Sequence, residues 1–210
     1  MLELLNRPEF VIFTTRTFAE AGGSSLSAAS RRLNRLARQR FLTRITKGVW
    51  ANTSHPHFHP LACVPYLLGK EQGYVSFLTA LHLHEVISQI PQSVQVATTG
   101  RGRTLESPAG RFEFFRVKPE LMRDGTEWSE TRLPYLIATR EKALLDVLYL
   151  STRKNRRFSR LPEIDLADSG FRKRELERLL RELPYPVRIR SAVRSRWEAL
   201  KSGPGSTAPI

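Results

Sequence analysis

The spacing of apolar residues near the N-terminus predicts two helices separated by a tight turn. The first covers residues 15–21 after the capping residue Thr14, and a pair of glycines ends it. The second begins after Ser24 or Ser25 and reaches about Gln39. One stripe of this second helix is expected to pack, and its members are Leu26, Ala29, Leu33, Leu36 and Arg40. The opposite side of this helix carries small side chains at its start and cationic side chains further along.

Two short alternating runs follow in FLTRITKGVWAN and predict a hairpin that turns at Lys47-Gly48. The residues available to pack it are Phe41, Ile45, and Val49 or Trp50. Helix, turn, helix and hairpin in this order are typical of a winged helix-turn-helix domain. In such a domain the second helix enters the major groove of DNA, and the hairpin is the wing.

The rest of the chain alternates between helical and strand patterns. Residues 74–90 have an apolar face at helical spacing and predict a core helix capped by Ser76. The runs SVQVATTGRGR and RFEFFRV predict two strands, which we expect to form an antiparallel pair joined by the long cationic loop RGRTLESPAG. A short strand from Tyr135 to Ala138 and a helix capped by Thr139 follow. Two C-terminal helices are predicted in RKRELERLLREL and VRIRSAVRSRWEAL.

These elements predict an α+β fold with two domains. The winged helix-turn-helix takes residues 1–53, and residues 60–200 form a mixed α/β domain with a small antiparallel sheet and C-terminal helices. The boundary lies in the stretch from Asn52 to Pro60, where two prolines and small polar residues interrupt regular structure. Residues 201–210 are rich in glycine, proline and serine, and they predict a disordered tail.

Composition adds a strong positive charge. The 210 residues include 34 Lys and Arg against 20 Asp and Glu, a formal net charge of +14. Residues 1–51 carry +6, residues 52–150 are neutral, and residues 151–210 carry +8. A field of this sign attracts polyanions, so nucleic acid is the first partner expected and an anionic membrane surface the second. The chain shows neither a signal-peptide pattern nor a long apolar run, which predicts a soluble cytoplasmic protein with no membrane partner.

The polar side of the second helix supplies the candidate DNA contacts. Small side chains in its first turns allow close approach to base edges, and guanidinium groups further along reach guanine edges or phosphates. The residues assigned to the groove are Ser27, Ala28, Arg31 and Arg35, with Ser25 at the start of the helix. Those assigned to the phosphate backbone are Arg32, Arg38, Arg44 and Lys47. The alternative interpretation is a solvated helix surface without a ligand.

A second basic surface is expected on the neutral body. Its members are Arg101, Arg103, Arg111, Arg116 and Lys142. Its candidate ligands are flanking DNA, RNA or an acidic partner, and the alternative is solvated loop charge. The basic cluster from Arg153 to Arg160 is interpreted as an exposed connection.

No motif in the chain predicts catalysis or a bound metal. His55, His57 and His59 alternate, but two prolines interrupt them and no cysteine or acidic residue completes a ligand set. His84 is expected to be a hydrogen-bonded core residue, and Cys63, in an apolar segment, an inert thiol. The chain lacks the motifs of restriction-type nucleases, nucleotidyltransferases and serine hydrolases, so we expect neither an enzyme nor a cofactor.

Four segments of the chain resemble the AbiEi family of antitoxins, which belong to the type IV toxin–antitoxin modules of abortive infection. These segments are RRLNRLARQRFLTRITKGVWAN, YVSFLTALHLHEVISQIPQSVQVATTGRGR, FEFFRV and IATREKALLDVLYL. They occur in the family's order and lie within residues 10–151.

The resemblance implies a repressor that doubles as an antitoxin. In the family, the N-terminal winged helix binds the operon's own promoter, and the C-terminal domain counters a nucleotidyltransferase-like toxin. The expected partners are therefore double-stranded DNA and either that toxin or its RNA target. The residues leave two alternatives open: a stand-alone winged-helix transcription factor, and a protein or RNA interaction module without sequence-specific DNA binding.

Overall fold

The computed structural model describes residues 5–153, 158, 161–166 and 169–202. Within these ranges the chain is a mixed α/β protein of the α+β class, with seven α-helices and two β-sheets. The helices are α1 (Thr15–Ala21), α2 (Leu26–Arg38), α3 (Val64–Leu68), α4 (Phe77–Leu83), α5 (Arg140–Ser151), α6 (Lys173–Glu182) and α7 (Val187–Lys201). The strands are β1 (Ile12–Thr14), β2 (Thr43–Thr46), β3 (Val49–Ala51), β4 (Gly73–Val75), β5 (Val94–Thr98), β6 (Arg103–Ser107), β7 (Gly110–Arg116), β8 (Thr126–Trp128) and β9 (Leu136–Ala138).

The two N-terminal helices begin where the sequence predicts, because side chains cap them. The Thr14 hydroxyl accepts a hydrogen bond from the N–H of Thr17 at 3.0 Å, and the Ser25 hydroxyl accepts one from the N–H of Ala28 at 3.3 Å. Each bond satisfies a backbone donor that has no partner inside its helix. The predicted ranges of α1 and α2 are confirmed to within a residue.

The packed stripe of α2 is shorter than predicted. The three apolar residues in its middle are buried. Leu26 is 52% exposed because it is the first residue of the helix. Arg40 lies beyond the helix, where a φ of 62° turns the chain away. Phe41, expected to pack the hairpin, is 50% exposed, and its neighbour Leu42 is buried instead. The packing expected of Leu26, Arg40 and Phe41 is therefore wrong.

The first sheet has the order β1-β3-β2, is antiparallel, and packs on both faces. On one face, Phe13 and Trp50 join the buried residues of α1 and α2 in a small core. On the other, Ile12 and Ile45 belong to the large core of the body. The Tyr66 hydroxyl donates to the Ile12 carbonyl at 2.9 Å across this junction. The N-terminal unit is thus joined to the body by an apolar contact.

The second sheet contains six strands in the order β6-β7-β5-β4-β9-β8. It is mixed, since β5 runs parallel to β7 and β4 runs parallel to β9, whereas the other neighbours are antiparallel. The antiparallel pairing predicted for the strands now labelled β5 and β7 is therefore wrong. The segment expected to be a cationic loop contains β6, which forms an antiparallel hairpin with β7. Because β6 reverses the chain once between β5 and β7, β7 runs in the same direction as β5. Leu105 is the lone apolar residue of this edge strand, so alternation does not reveal it.

The helix predicted over residues 74–90 is much shorter in the structure. Tyr74 lies in β4, and α4 covers only Phe77–Leu83. Glu85 has a φ of 61°, which ends the helical path. Ser76 precedes α4, but its hydroxyl donates to the Asp146 carboxylate at 2.8 Å and makes no capping bond. Ser76 is thus the N-cap residue of α4, as predicted, but its side chain makes no capping bond.

The central helix of the body is α5, whose residues from Glu141 to Ser151 are all buried. As predicted, Thr139 caps it by accepting a hydrogen bond from the N–H of Lys142 at 3.3 Å. The two predicted C-terminal helices are present as α6 and α7, and both pack against α5. Lys201 is helical and does not belong to the predicted tail. Ser202 is the C-cap of this helix, and the other tail residues, 203–210, lie outside the described ranges.

Candidate nucleic-acid interface

The side of α2 that faces away from the core is cationic and open to solvent. Arg31, Arg35 and Arg38 are exposed there, and Ser27 is exposed one turn before them. These positions lie opposite the buried residues Ala29, Leu33 and Leu36 at the 3.6-residue helical period. Ala28 and Arg32 flank this surface and are half-buried. The helix therefore presents small side chains near its start and guanidinium groups beyond.

Ser25 has a structural role at the start of this surface. Its hydroxyl caps α2 and lies 3.1 Å from the hydroxyl of Ser27. The two serines are exposed, so the first turn is both fixed by hydrogen bonds and accessible.

The hairpin β2–β3 is tied to the start of α1. The carbonyl of Gly48 in its turn accepts a hydrogen bond from the N–H of Thr15 at 2.9 Å. The Trp50 indole N–H donates to the Thr15 hydroxyl, also at 2.9 Å. Lys47 is exposed at the tip, and Arg44 is exposed with its guanidinium 5.7 Å from the centre of the Trp50 ring. Both cations are thus carried on a hairpin that hydrogen bonds hold to the start of α1.

The predicted DNA-contact cations have no carboxylate partners among the residues that the structure describes. No ion pair within 4.0 Å involves any of Arg31, Arg32, Arg35, Arg38, Arg44 and Lys47. Cationic side chains without carboxylate partners sum to a positive potential that attracts anions. The arrangement supplies a helix of suitable width for a major groove and a cationic hairpin beside it.

The predicted second basic surface is only partly present. Arg101 and Arg116 are exposed. Arg103 is paired with the Glu71 carboxylate at 2.7 Å, and Arg111 lies near Glu106 and Glu113. Since β6 lies against β2, this part of the body adjoins the N-terminal hairpin.

Lys142 is not a surface residue, and its assignment to the second basic surface is wrong. Its side chain has zero exposure, and its ammonium donates to the Tyr74 hydroxyl at 2.6 Å and to the Asp146 carboxylate. Burial lowers the pKa of the Lys142 ammonium, against the opposing effect of Asp146. Burial also raises the pKa of the Tyr74 hydroxyl, and Asp146 adds to this shift. The lysine is buried because α5 is surrounded by other elements on every side.

The histidines of the predicted boundary contact protein groups. His59 accepts a hydrogen bond at Nδ1 from the N–H of Ala62, and burial lowers the pKa of its ring. His57 accepts one at Nε2 from Arg132. Among the described residues, no three His, Cys, Asp or Glu side chains are grouped so that they could hold a metal ion. His84 is hydrogen-bonded to the Ala138 carbonyl at 2.8 Å, as predicted, but it is half-buried and does not belong to the core.

Sequence reasoning missed a cleft of about 450 Å³ on the body. It lies between the start of β6, the end of β7 and the end of α5. The described residues that line it are Gly102, Arg103, Thr104, Phe114, Phe115, Arg116, Leu150 and Arg153. Of the basic cluster predicted over residues 153–160, only Arg153 and Phe158 lie within the described residues. The clustering of arginines in the sequence was a signal for this site, but its walls come from segments far apart in the chain.

Comparison with known proteins adds no family assignment. No protein-family model matches the chain, and no curated protein matches its sequence significantly. None of the helices in the described part of the chain is long and apolar enough to cross a lipid bilayer.

Proposed function

We propose that the chain is a DNA-binding transcriptional autorepressor whose N-terminal unit is a winged helix-turn-helix. In this proposal α2 is the recognition helix and β2–β3 is the wing. The observation that carries it is the exposed face of α2, which combines a small first turn with guanidinium groups that no carboxylate neutralises within the described residues. If these arginines were buried or paired with carboxylates, α2 could not act as a recognition helix.

The chemistry of each position supports its assignment to groove or backbone. Ser27 and Ala28 allow the first turn to approach base edges. Arg31 and Arg35, one turn apart, have guanidinium groups that can donate two hydrogen bonds to a guanine edge. Arg32, Arg38, Arg44 and Lys47 flank this line, where cations meet phosphates and give affinity without sequence preference.

Binding to the chain's own upstream DNA tests the proposal directly. We expect Arg31→Ala and Arg35→Ala each to weaken binding by roughly fivefold to 100-fold, since a good base contact is worth about 1–3 kcal/mol of discrimination. Arg123→Ala is the matched control, because Arg123 is exposed on the body and has no side-chain partner among the described residues. Unchanged affinity and selectivity in the α2 variants would show that another surface binds the DNA.

The second half of the proposal is that the body, residues 60–200, acts as the antitoxin of a type IV module and counters a nucleotidyltransferase-like toxin. The support is the resemblance of the segments in β4–α4–β5, β7 and α5 to AbiEi antitoxins.

Co-expression with the product of the neighbouring gene tests this antitoxin role. We expect the full chain carrying Arg31→Ala and Arg35→Ala to protect cells without repressing its promoter. Repression without any protection would leave a stand-alone transcription factor.

A further inference from the structure

The cleft at the end of α5 is cationic, and no acidic side chain is among its described lining residues. The side chains that matter most are Arg103, Arg116 and Arg153, with Phe114 and Phe115 beside them. These residues belong to β6, β7 and the turn after α5, so the cleft is built from separate segments of the body. It is distinct from the cationic face of α2.

Two of the three guanidinium groups in the cleft have no carboxylate partner within the described part of the chain. Arg153 donates to the Arg116 carbonyl at 3.0 Å and to the Tyr149 hydroxyl at 2.6 Å, which are both neutral acceptors. Arg116 is exposed and has no carboxylate within 4.0 Å among the described residues. Arg103 is the exception, because Glu71 accepts from it at 2.7 Å. The cleft therefore favours a ligand with more than one negative charge.

One wall of the cleft is suited to a flat ring. The Arg103 guanidinium lies 4.1 Å from the centre of the Phe114 ring, and its bonds to Glu71 and to the Leu67 carbonyl hold it there. A guanidinium held against an aromatic ring presents a planar group on which a nucleobase stacks. The volume of about 450 Å³ lies in the range of small-molecule sites.

We propose that this cleft binds a free nucleoside phosphate. The phosphates are held by Arg116 and Arg153, and the base lies against the Arg103 guanidinium, which rests on the buried Phe114 ring. Guanidinium groups give phosphates paired, charge-assisted hydrogen bonds, whereas the stacked wall selects a planar ring over a bare anion. This inference is independent of DNA binding by α2.

Calorimetric titration of the full chain tests the proposal, with each of the four ribonucleoside triphosphates as a probe. We expect saturable binding below about 1 mM. Inorganic tripolyphosphate should bind roughly tenfold more weakly because it lacks the ring, and adenosine should not bind, because it lacks the charge. Tripolyphosphate binding as tight as that of the nucleotides, or no saturation by any nucleotide, would overturn the proposal.

Variants place the binding in the cleft. Arg116→Gln removes an exposed guanidinium but keeps the carbonyl that Arg153 uses, and it should weaken binding by roughly tenfold or more. Thr104→Trp, at an exposed lining position, should block the cleft by filling it. The control Arg123→Gln should bind as the parent does. Normal binding by both cleft variants would overturn the assignment.

The α2 face is the competing cationic site, and one variant separates the two. The protein with Arg31→Ala and Arg35→Ala should lose DNA binding and keep nucleotide binding. Loss of nucleotide binding in this variant would place the ligand on α2 and refute the assignment of the nucleotide site to the cleft. Binding of a single-stranded oligonucleotide without any binding of mononucleotides would likewise refute it.

Discussion

Lys142 and Asp146 form an ion pair one turn apart on α5, and neither side chain is exposed to solvent. The carboxylate also accepts hydrogen bonds from the Tyr74 and Ser76 hydroxyls, at 2.9 and 2.8 Å. The pair therefore links the central helix to β4 and to the residue that follows it. Its charges lie in the core, where an unpaired charge is costly.

Removal of one member of this pair should destabilise the protein strongly. In Lys142→Met the Asp146 carboxylate stays buried without its cation, which costs about 3–5 kcal/mol of unfolding free energy. The measurement is urea unfolding followed by circular dichroism. In the double variant Lys142→Met/Asp146→Leu no charge is left buried, so part of that loss should be recovered, and the remainder reflects the Tyr74 and Ser76 hydroxyls that lose their acceptor.

The control for that cycle is Lys118→Met, which removes an exposed lysine from the same body. It should change the free energy of unfolding by less than about 0.5 kcal/mol. A Lys142→Met protein as stable as the parent would mean that water reaches the pair in solution.

Local signals made part of the fold predictable from the sequence. The caps Thr14, Ser25 and Thr139 act on N–H groups three residues later, so the sequence alone locates α1, α2 and α5. The exposed arginines of α2 were predicted for a similar reason, because helical periodicity separates them from the buried stripe.

Long-range contacts made the rest unpredictable. Tyr74 lies in a strand although its segment has helical periodicity, because β4 fills the gap between β5 and β9. Lys142 looked like a surface residue, but its partner Tyr74 is 68 residues away in the chain. The cleft depends on the same kind of information, since Arg103 and Arg153 meet only in the folded protein. The periodicity of one segment gives no information about such long-range contacts.

The Cys63 thiol should be unreactive in the folded protein. It is fully buried, and burial raises its pKa to about 12, so the reactive thiolate is scarce at neutral pH. We expect a thiol reagent such as Ellman's reagent to label it slowly in buffer and completely in denaturant. Rapid labelling of native protein would show that the segment from Pro60 to Leu68 opens locally.

A cluster around Arg178 should make stability fall at acid pH. Hydrogen bonds from Arg178 lower the pKa of Glu175. Burial alone would raise the pKa of Asp124, but hydrogen bonds from Arg178 and the N–H of Gly125 outweigh it and lower that pKa as well. A carboxyl with a depressed pKa stabilises the fold above its unfolded value, about 4, and this contribution is lost as pH falls.

The test compares the thermal midpoints of the parent and Arg178→Met between pH 7 and pH 3. The variant should be less stable at pH 7 and should lose less stability on acidification, because its carboxyls are no longer stabilised by the guanidinium. Equal acid sensitivity in both proteins would assign the loss to other carboxyls.

Deletion of residues 1–51 should expose an apolar face on the body. Ile12, Ile45 and Val49 pack into the large core from the first sheet, so their removal leaves their partners in water. We expect the fragment 52–210 to bind a hydrophobic dye and to self-associate in sedimentation analysis. A monomeric, dye-negative fragment would instead support independent folding of the body, as the predicted domain division requires.

Salt dependence should separate phosphate contacts from base contacts on the proposed DNA-binding surface. Lys47 is exposed at the hairpin tip and, in our proposal, neutralises a phosphate. Each such contact adds about −0.9 to the slope of log affinity against log salt, so Lys47→Ala should reduce the slope by about one. The affinity of this variant should fall equally for the operator, which is the chain's own upstream DNA, and for random DNA.

Arg35→Ala should instead weaken binding to the operator more than binding to random DNA, because a base contact carries the sequence preference. If both variants reduced the slope equally and kept the operator preference, Arg35 would be a phosphate contact, and the groove face of α2 would have to lie elsewhere on the helix.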